Sequence, residues 1–113
     1  MTEQPDESER IDASDLAQRM RRGDPTLLVC AYEADVAWRK YGLVGAIPSS
    51  DLEDQLDDFE PGGLVVLYCR CPREKTATEA ARALAARGVE GLRVLAGGYD
   101  AALEAGLRPL RRR

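Results

Sequence analysis

Apolar residues occur in three short, continuous runs that have the length of buried β-strands. These runs cover residues 26–31, 64–68 and 93–95. A continuous apolar run is typical of a strand that is covered on both faces, as in a parallel sheet, whereas a half-exposed strand alternates apolar and polar residues. A shorter strand that leads into a turn is predicted at residues 45–48.

Helical patterns lie between these strands. The first predicted helix has Ser14 as its N-cap and ends at Gly23. A short helix is predicted around residues 36–38, and the capping-box spacing Ser50-x-x-Glu53 predicts another. An alanine-rich helix is predicted over residues 76–87, closed by Gly88, and a last one over residues 99–104.

Strands that alternate with helices predict an α/β fold, here a small parallel sheet with helices on both faces. A length of 113 residues suits one domain. We expect residues 1–10 to form a disordered N-terminal lead, residues 11–110 the domain, and residues 111–113 a basic tail. The acidic lead lacks the basic and apolar regions of a signal peptide, so a cytoplasmic location is predicted.

Composition excludes several classes of function. The formal net charge of −4 makes nucleic acid an improbable partner, and no run approaches the roughly 20 apolar residues of a membrane helix. The chain has no histidine, which removes Ser-His-Asp and Cys-His catalysis. Three cysteines form neither a disulfide scaffold nor a four-cysteine zinc site. No metal or cofactor is expected.

The candidate nucleophile is Cys69, which follows the best predicted strand and precedes a basic loop and a helix. A reactive thiol needs a depressed pKa, and backbone N–H groups, the helix N-terminus and nearby cations can supply it. Glu74 opposes this trend, and it either folds back onto the loop's N–H groups or pairs with an arginine. The predicted substrate-binding residues are Arg70, Pro72, Arg73, Glu74, Lys75 and Thr76, with Thr76 as the helix cap.

The two other cysteines have different expected roles. Cys71 is a second candidate catalytic residue, which would resolve a sulfenic acid or persulfide on Cys69. The alternatives for Cys71 are a soft-metal ligand together with Cys69 and a spectator. Cys30 ends a buried strand and is expected to be a packing residue.

An ordered set of segments resembles the rhodanese family over about residues 11–110. The segments are Ile11-x-x-x-x-Leu16, Leu28-Val29-Cys30-Ala31-Tyr32, Gly45-Ala46-Ile47, Val65-Val66-Leu67-Tyr68-Cys69 and Leu95-Ala96-Gly97-Gly98-Tyr99-Asp100-Ala101. The loop Cys-x-Cys-Pro-x-Glu-x-Thr is similar to that of a bacterial subgroup. This resemblance implies a rhodanese-like fold in which Thr76 aligns with the serine or threonine that opens the family's helix.

The resemblance also implies an activity. Rhodaneses move sulfane sulfur from a small anionic donor such as thiosulfate to cyanide or a thiol, including a protein thiol, through a persulfide that by position would form on Cys69. Three residues depart from the family's pattern. Cys30 and Tyr32 replace the usual acid and arginine after the second strand, and Gly42 replaces a histidine. The loop is also one residue longer than in the common form.

Two other functions compete with a thiosulfate sulfurtransferase. A cysteine phosphatase or arsenate reductase would need arginine rather than Lys75, because only arginine clamps an oxyanion with two parallel hydrogen bonds. No aspartate can be assigned as its general acid. The second rival is a non-catalytic sulfur carrier, thiol redox sensor or partner-binding module that uses Cys69 and Cys71.

Overall fold

A sheet of five parallel strands lies at the centre of the fold. The structure is a computed structural model that describes residues 9–59, 62–70 and 74–110. The strands are β1 (Arg10–Ile11), β2 (Thr26–Cys30), β3 (Ala46–Pro48), β4 (Leu64–Tyr68) and β5 (Leu92–Leu95). The helices are α1 (Ala13–Arg22), α2 (Asp35–Tyr41), α3 (Leu52–Asp57), α4 (Lys75–Ala86) and α5 (Gly98–Glu104). The basic tail and nearly all of the lead lie outside the described residues, but Arg10 belongs to β1.

The strand order is β1-β5-β4-β2-β3, so β4 is the central strand. Strand β2 pairs with β4 along its whole length, from Thr26 opposite Leu64 to Cys30 opposite Tyr68. Strand β5 covers the other edge of β4. Because parallel strands all end at the same edge of a sheet, the residue after β4 lies at the middle of that edge.

Alternate residues of the central strand enter two separate cores, one on each face of the sheet. Val65 and Leu67 pack with side chains from α3 and α4, whereas Val66 and Tyr68 pack with side chains from α1 and α5. This arrangement confirms the predicted parallel sheet with helices on both faces. Every residue of β4 after Leu64 is buried in one core or the other, and this explains why the sequence of the strand is continuously apolar.

Several helix ends differ from the sequence-based expectation. Helix α1 begins at Ala13 with Asp12 at its N-cap, because the Asp12 carbonyl already accepts the N–H of Leu16 at 3.0 Å. Ser14 therefore lies inside the helix. The predicted capping box is also wrong, because a 3₁₀ turn (Ser49–Asp51) precedes α3 and places Asp51 at the N-cap. The predicted end at Gly23 is confirmed, with φ of 78°.

The helices of the described residues are short. The longest of them, α4, has 12 residues. In this part of the chain no helix combines the length and the apolar character that crossing a bilayer requires.

Truncation of a central-strand side chain should lower stability strongly. Leu67 is 1% exposed, and we expect Leu67→Ala to reduce the free energy of unfolding by about 2–5 kcal/mol, because it removes buried methyl groups and leaves a cavity. Urea unfolding followed by circular dichroism measures this change. The matched control is Val36→Ala at a side chain that is 68% exposed, for which we expect a change within about 0.5 kcal/mol. Equal effects of the two substitutions would contradict the described core.

Candidate active site

Cys69 is the first residue after the central strand, and its side chain is enclosed. The residue is 1% exposed and packs in the core on the α4 side of the sheet, with Leu67 and Ala77. Its carbonyl accepts the backbone N–H of Tyr99 at 3.0 Å. One residue earlier, the Tyr68 carbonyl accepts the N–H of Ala31 at 2.9 Å, which extends the β2–β4 pairing by one bond. The thiol therefore lies in the position predicted from the sequence, at the carboxyl edge of the sheet.

The N-terminus of α4 follows shortly after Cys69 and begins one residue earlier than predicted. Lys75 is the first helical residue and is exposed, and Thr76 is the second and is half-buried. The prediction that Thr76 caps this helix is wrong, because Glu74 occupies the N-cap with φ of 53° and ψ of 40°. Cys71, Pro72 and Arg73 lie outside the described residues.

The side chain of Glu74 contacts residues outside the candidate loop. Its carboxylate pairs with the guanidinium of Arg10 on β1 and accepts a long hydrogen bond of 3.4 Å from the N–H of Gly97. The side chains of Arg10 and Glu74 are 30% and 11% exposed. Of the two alternatives for Glu74, pairing with an arginine is therefore observed, although the arginine comes from an edge strand. Arg10 therefore offsets the charge of Glu74.

Arg70 is held by both its backbone and its side chain. Its N–H donates to the hydroxyl of Tyr32 at 2.9 Å. Its Nε lies 3.1 and 3.3 Å from the two carboxylate oxygens of Asp100, and this hydrogen bond raises the pKa of Arg70. The guanidinium also lies over the ring of Tyr41, 5.8 Å from its centroid. The candidate loop residue is thereby anchored to α2 and α5.

Three tyrosine rings lie close together beside Arg70. The centroids of Tyr32 and Tyr41 are 5.7 Å apart, and those of Tyr41 and Tyr99 are 5.2 Å apart in an edge-to-face arrangement. The Tyr68 hydroxyl donates to the Tyr41 carbonyl at 2.7 Å, and burial raises the pKa of Tyr68 well above its usual value. These contacts fix the C-terminal end of α2 beside the site.

Sequence reasoning missed several residues of this surrounding shell. Tyr99 and Asp100 stand in the closing segment Leu-x-Gly-Gly-Tyr-Asp, and Tyr32 was noticed only as a departure from a family pattern. The sequence motifs therefore contain Tyr32, Tyr99 and Asp100, and these residues could have been predicted as neighbours of the site. Nothing in the sequence pattern points to Tyr41 or Arg10, because their roles depend on which elements the sheet brings together.

Cys30 lies on the opposite face of the sheet from Cys69. It is fully buried at the end of β2, in the core of the α1 and α5 side, in contact with Tyr68. Burial raises the pKa of the Cys30 thiol, which favours its protonated, unreactive form. The expected packing role of Cys30 agrees with this position, and the two faces keep the Cys30 and Cys69 side chains apart.

Two consecutive glycines let the start of α5 approach Cys69. A Cβ atom at Gly98 would lie 2.1 Å from the Cys69 carbonyl oxygen, and φ of Gly98 is 60°, in the left-handed region. Gly97 also has positive φ, and a Cβ there would lie 2.7 Å from the side chain of Ala101. The glycine pair therefore allows the Tyr99 N–H to reach the Cys69 carbonyl.

Metal binding finds no support in the described ranges. Within residues 9–59, 62–70 and 74–110, no three or more cysteine, aspartate or glutamate side chains are grouped so that they could hold a metal ion. The alternative of a soft metal held by Cys69 and Cys71 involves a residue outside these ranges.

Known structures share this arrangement of elements. A rhodanese-like domain from Anabaena sp. superposes with a TM-score of 0.71 at 20% identity, covering 89% of this chain and 76% of that one. A rhodanese-related protein from Thermoplasma volcanium gives 0.61 at 17% identity, covering 87% and 93%. A protein from Bacillus halodurans gives 0.70 at 21% identity, covering 90% and 77%. The fold is that of rhodanese-like domains. No protein-family model and no curated protein matches the sequence.

This chain has neutral side chains at two positions where the resemblance to the rhodanese family implied charged ones. Cys30 is buried against Tyr68, and Tyr32 bonds the Arg70 backbone. At the third departure, a Cβ atom on Gly42 would lie 2.8 Å from the Trp38 carbonyl oxygen, whose bond from the Gly42 N–H ends α2. The close packing at Gly42 leaves no room for a larger side chain without movement of α2.

Adding one methyl group at Gly98 should disturb the site more than the same change at another left-handed glycine. We expect Gly98→Ala to reduce the free energy of unfolding by about 2–4 kcal/mol, because backbone strain and a clash with the Cys69 carbonyl combine. Gly23→Ala is the control, since φ is 78° and no atom lies within 4 Å of its Cβ. We expect about 1–2 kcal/mol there from strain alone. Equal values from urea unfolding would contradict the close approach.

The ion pair between Arg10 and Glu74 should be measurable by a double-mutant cycle. We expect Arg10→Met to reduce the free energy of unfolding by about 1–3 kcal/mol, because it leaves the carboxylate of a buried residue without its cation. In the cycle with Glu74→Gln, the coupling energy should be about 1–2 kcal/mol. A coupling energy near zero would show that the pair does not connect β1 to the candidate loop.

Proposed function

We propose that the protein is a sulfurtransferase that moves sulfane sulfur from a small anionic donor, such as thiosulfate, to a thiophilic acceptor through a persulfide on Cys69. The observation that carries the proposal is the placement of Cys69 at the carboxyl end of the central strand, between that strand and the N-terminus of α4. Ligands bind at this edge in open α/β sheets. The rhodanese-like fold supports a function related to sulfur transfer.

The reaction would be a double displacement. The Cys69 thiolate attacks the outer sulfur of thiosulfate, a bond forms between the two sulfurs, and sulfite leaves with the electron pair of the broken S–S bond. Cyanide or a thiolate then attacks the terminal sulfur of the persulfide. Thiocyanate or a new persulfide leaves, and the Cys69 thiolate is regenerated. Sulfur is transferred as a neutral atom, so neither half-reaction needs an added oxidant or reductant.

The activation of Cys69 has to come from groups other than histidine, which the chain lacks. The positive end of α4 and the loop's backbone N–H groups favour a thiolate and the anionic donor. The proposed substrate-binding residues are Arg70, Pro72, Arg73, Glu74, Lys75 and Thr76. Glu74 would serve as a structural anchor within this loop, since Arg10 offsets its charge and its carboxylate points toward Gly97.

The burial of Cys69 favours a small donor. A residue that is 1% exposed is out of reach of the surface of another folded protein, whereas a small anion needs only a narrow path. The acceptor is proposed to be cyanide or a thiol, with a protein thiol reaching the sulfur after persulfide formation. Neither nucleic acid nor membrane is proposed as a partner, and the proposed location is the cytoplasm.

A second candidate is a sulfur carrier or thiol redox sensor that does not turn over. This alternative is favoured by the neutral residues Cys30 and Tyr32, which stand where the resemblance to the rhodanese family implied a charged pair. In this case Cys69 would accept sulfur once and hold it, with Cys71 as a partner. A persulfide that forms but is not consumed by cyanide would identify a carrier.

The proposed persulfide is tested by the intact mass of the reduced protein after incubation with thiosulfate. We expect wild-type protein to gain the mass of one sulfur atom, and cyanide to remove it. Cys69→Ser should abolish both the adduct and turnover, because the hydroxyl oxygen cannot form the persulfide. An adduct and full transfer activity in Cys69→Ser would contradict the assignment, and absence of any wild-type adduct would exclude thiosulfate as the donor.

The role of Cys71 is decided by the same assay. If Cys71 is a spectator, Cys71→Ser should keep the adduct and change thiosulfate turnover by less than about threefold, or roughly 0.7 kcal/mol of activation free energy. A loss of two orders of magnitude would place Cys71 in the catalytic cycle. An adduct that disappears with Cys71→Ser but survives Cys69→Ser would move the nucleophile to Cys71.

A further inference from the structure

The peptide bond between Cys69 and Arg70 has both of its polar atoms held. The Cys69 carbonyl accepts the N–H of Tyr99 at 3.0 Å, and the Arg70 N–H donates to the Tyr32 hydroxyl at 2.9 Å. The C=O and N–H of a trans peptide point in opposite directions. The two bonds therefore restrain this peptide plane from opposite sides, one through α5 and one through the connection between β2 and α2.

The side chain of Arg70 adds a weaker restraint. Its Nε bonds both carboxylate oxygens of Asp100, but the side chains of Arg70 and Asp100 are 50% and 60% exposed. Exposed ion pairs restrain little, because water competes for both groups. The ring of Tyr41 lies beside the guanidinium and also meets the ring of Tyr32. The Tyr32 hydroxyl holds the backbone of Arg70, whereas Asp100 holds only the end of its side chain, so the bond to Tyr32 is the one that restrains the peptide plane.

The direction of this peptide plane matters for the chemistry of Cys69. Rotation about the bond between the Cys69 Cα and its carbonyl carbon turns the plane and everything that follows it, while Sγ stays in place. The plane therefore determines the direction in which the chain leaves Cys69 toward the backbone N–H groups at the N-terminus of α4. These are the groups that favour a thiolate in a chain without histidine.

We propose that Tyr32 is a positioning residue for Cys69, whose hydroxyl fixes the direction in which the loop leaves the thiol. The inference rests on the proposed function only in taking Cys69 as the reacting group. Tyr32 acts here as a neutral hydrogen-bond acceptor, at a position where the resemblance implied arginine. An arginine has no acceptor atom, so it would not hold the Arg70 N–H in this way.

The variant Tyr32→Phe tests this role. It removes the acceptor oxygen but keeps the ring beside Tyr41. The first measurement is the pH dependence of Cys69 alkylation by iodoacetamide, followed by intact mass in a Cys30→Ala, Cys71→Ser background, where Cys69 is the one remaining cysteine. We expect the midpoint to rise by about 0.5–1 pH unit, since loss of aligned N–H groups destabilises the thiolate.

Turnover supplies the second measurement. With thiosulfate and cyanide, we expect Tyr32→Phe to lower kcat about tenfold while KM for thiosulfate stays within about threefold, as for an interaction that acts mainly in the transition state. Glu53→Gln is the control, because it weakens an exposed ion pair with Arg87 at the far end of α4. We expect the control to match wild type in both measurements.

The outcomes separate the proposals. A folded Tyr32→Phe protein with the wild-type alkylation midpoint and kcat would overturn the role of Tyr32, as would a lowered urea-unfolding midpoint with both of these values unchanged. If circular dichroism shows that Tyr32→Phe does not fold, Tyr32→Trp decides, because it also keeps an aromatic ring and has no acceptor oxygen; we again expect kcat to fall about tenfold. In that case, a wild-type kcat in Tyr32→Trp would overturn the role of Tyr32. Absence of a wild-type sulfur adduct excludes thiosulfate as the donor, whereas the alkylation midpoint still decides the role of Tyr32.

Discussion

In a parallel sheet all strands end at the same edge, and here the central strand ends immediately before Cys69. Strands β2 and β5 flank β4, so the segments that leave them run past the thiol on either side. Tyr32 comes from the β2 side, and Gly98 and Tyr99 come from the β5 side. The backbone contacts of the site follow from this strand order.

Two ion pairs lie near the candidate loop in the described part of the chain. Glu74 pairs with Arg10, and Arg70 pairs with Asp100. Glu74 thereby adds little net negative charge beside the thiol, even though it occupies the N-cap of α4. The side chain of Arg70 is more exposed than that of Arg10. An anionic ligand could therefore compete with Asp100 for Arg70. In the proposed mechanism, backbone N–H groups and the α4 N-terminus would support a thiolate at Cys69.

Small and neutral residues make several of the contacts that shape the backbone around Cys69. Gly98 lets α5 approach the Cys69 carbonyl to a distance that any Cβ would prevent. Tyr32 replaces a charged side chain with a phenol that accepts a backbone hydrogen bond. Cys30 lies on the other face of the sheet, where it is buried against Tyr68. It lacks the negative charge that the resemblance to the rhodanese family implied. The site thus retains the backbone frame of the rhodanese-like fold with uncharged residues at positions 30 and 32.

The sequence by itself determined the class of fold, the central strand and the position of Cys69, because continuous apolar runs and their interruptions are local signals. Strand β4 has the predicted bounds, and α4 differs from prediction by one residue at each end. The helix caps at Ser14, Ser50 and Thr76 were predicted wrongly, since a cap depends on the backbone conformation that the preceding turn adopts. Only the tertiary structure decided that Arg10 pairs with Glu74 and that Tyr32 holds Arg70, because these residues are 64 and 38 positions apart and meet through the strand order alone.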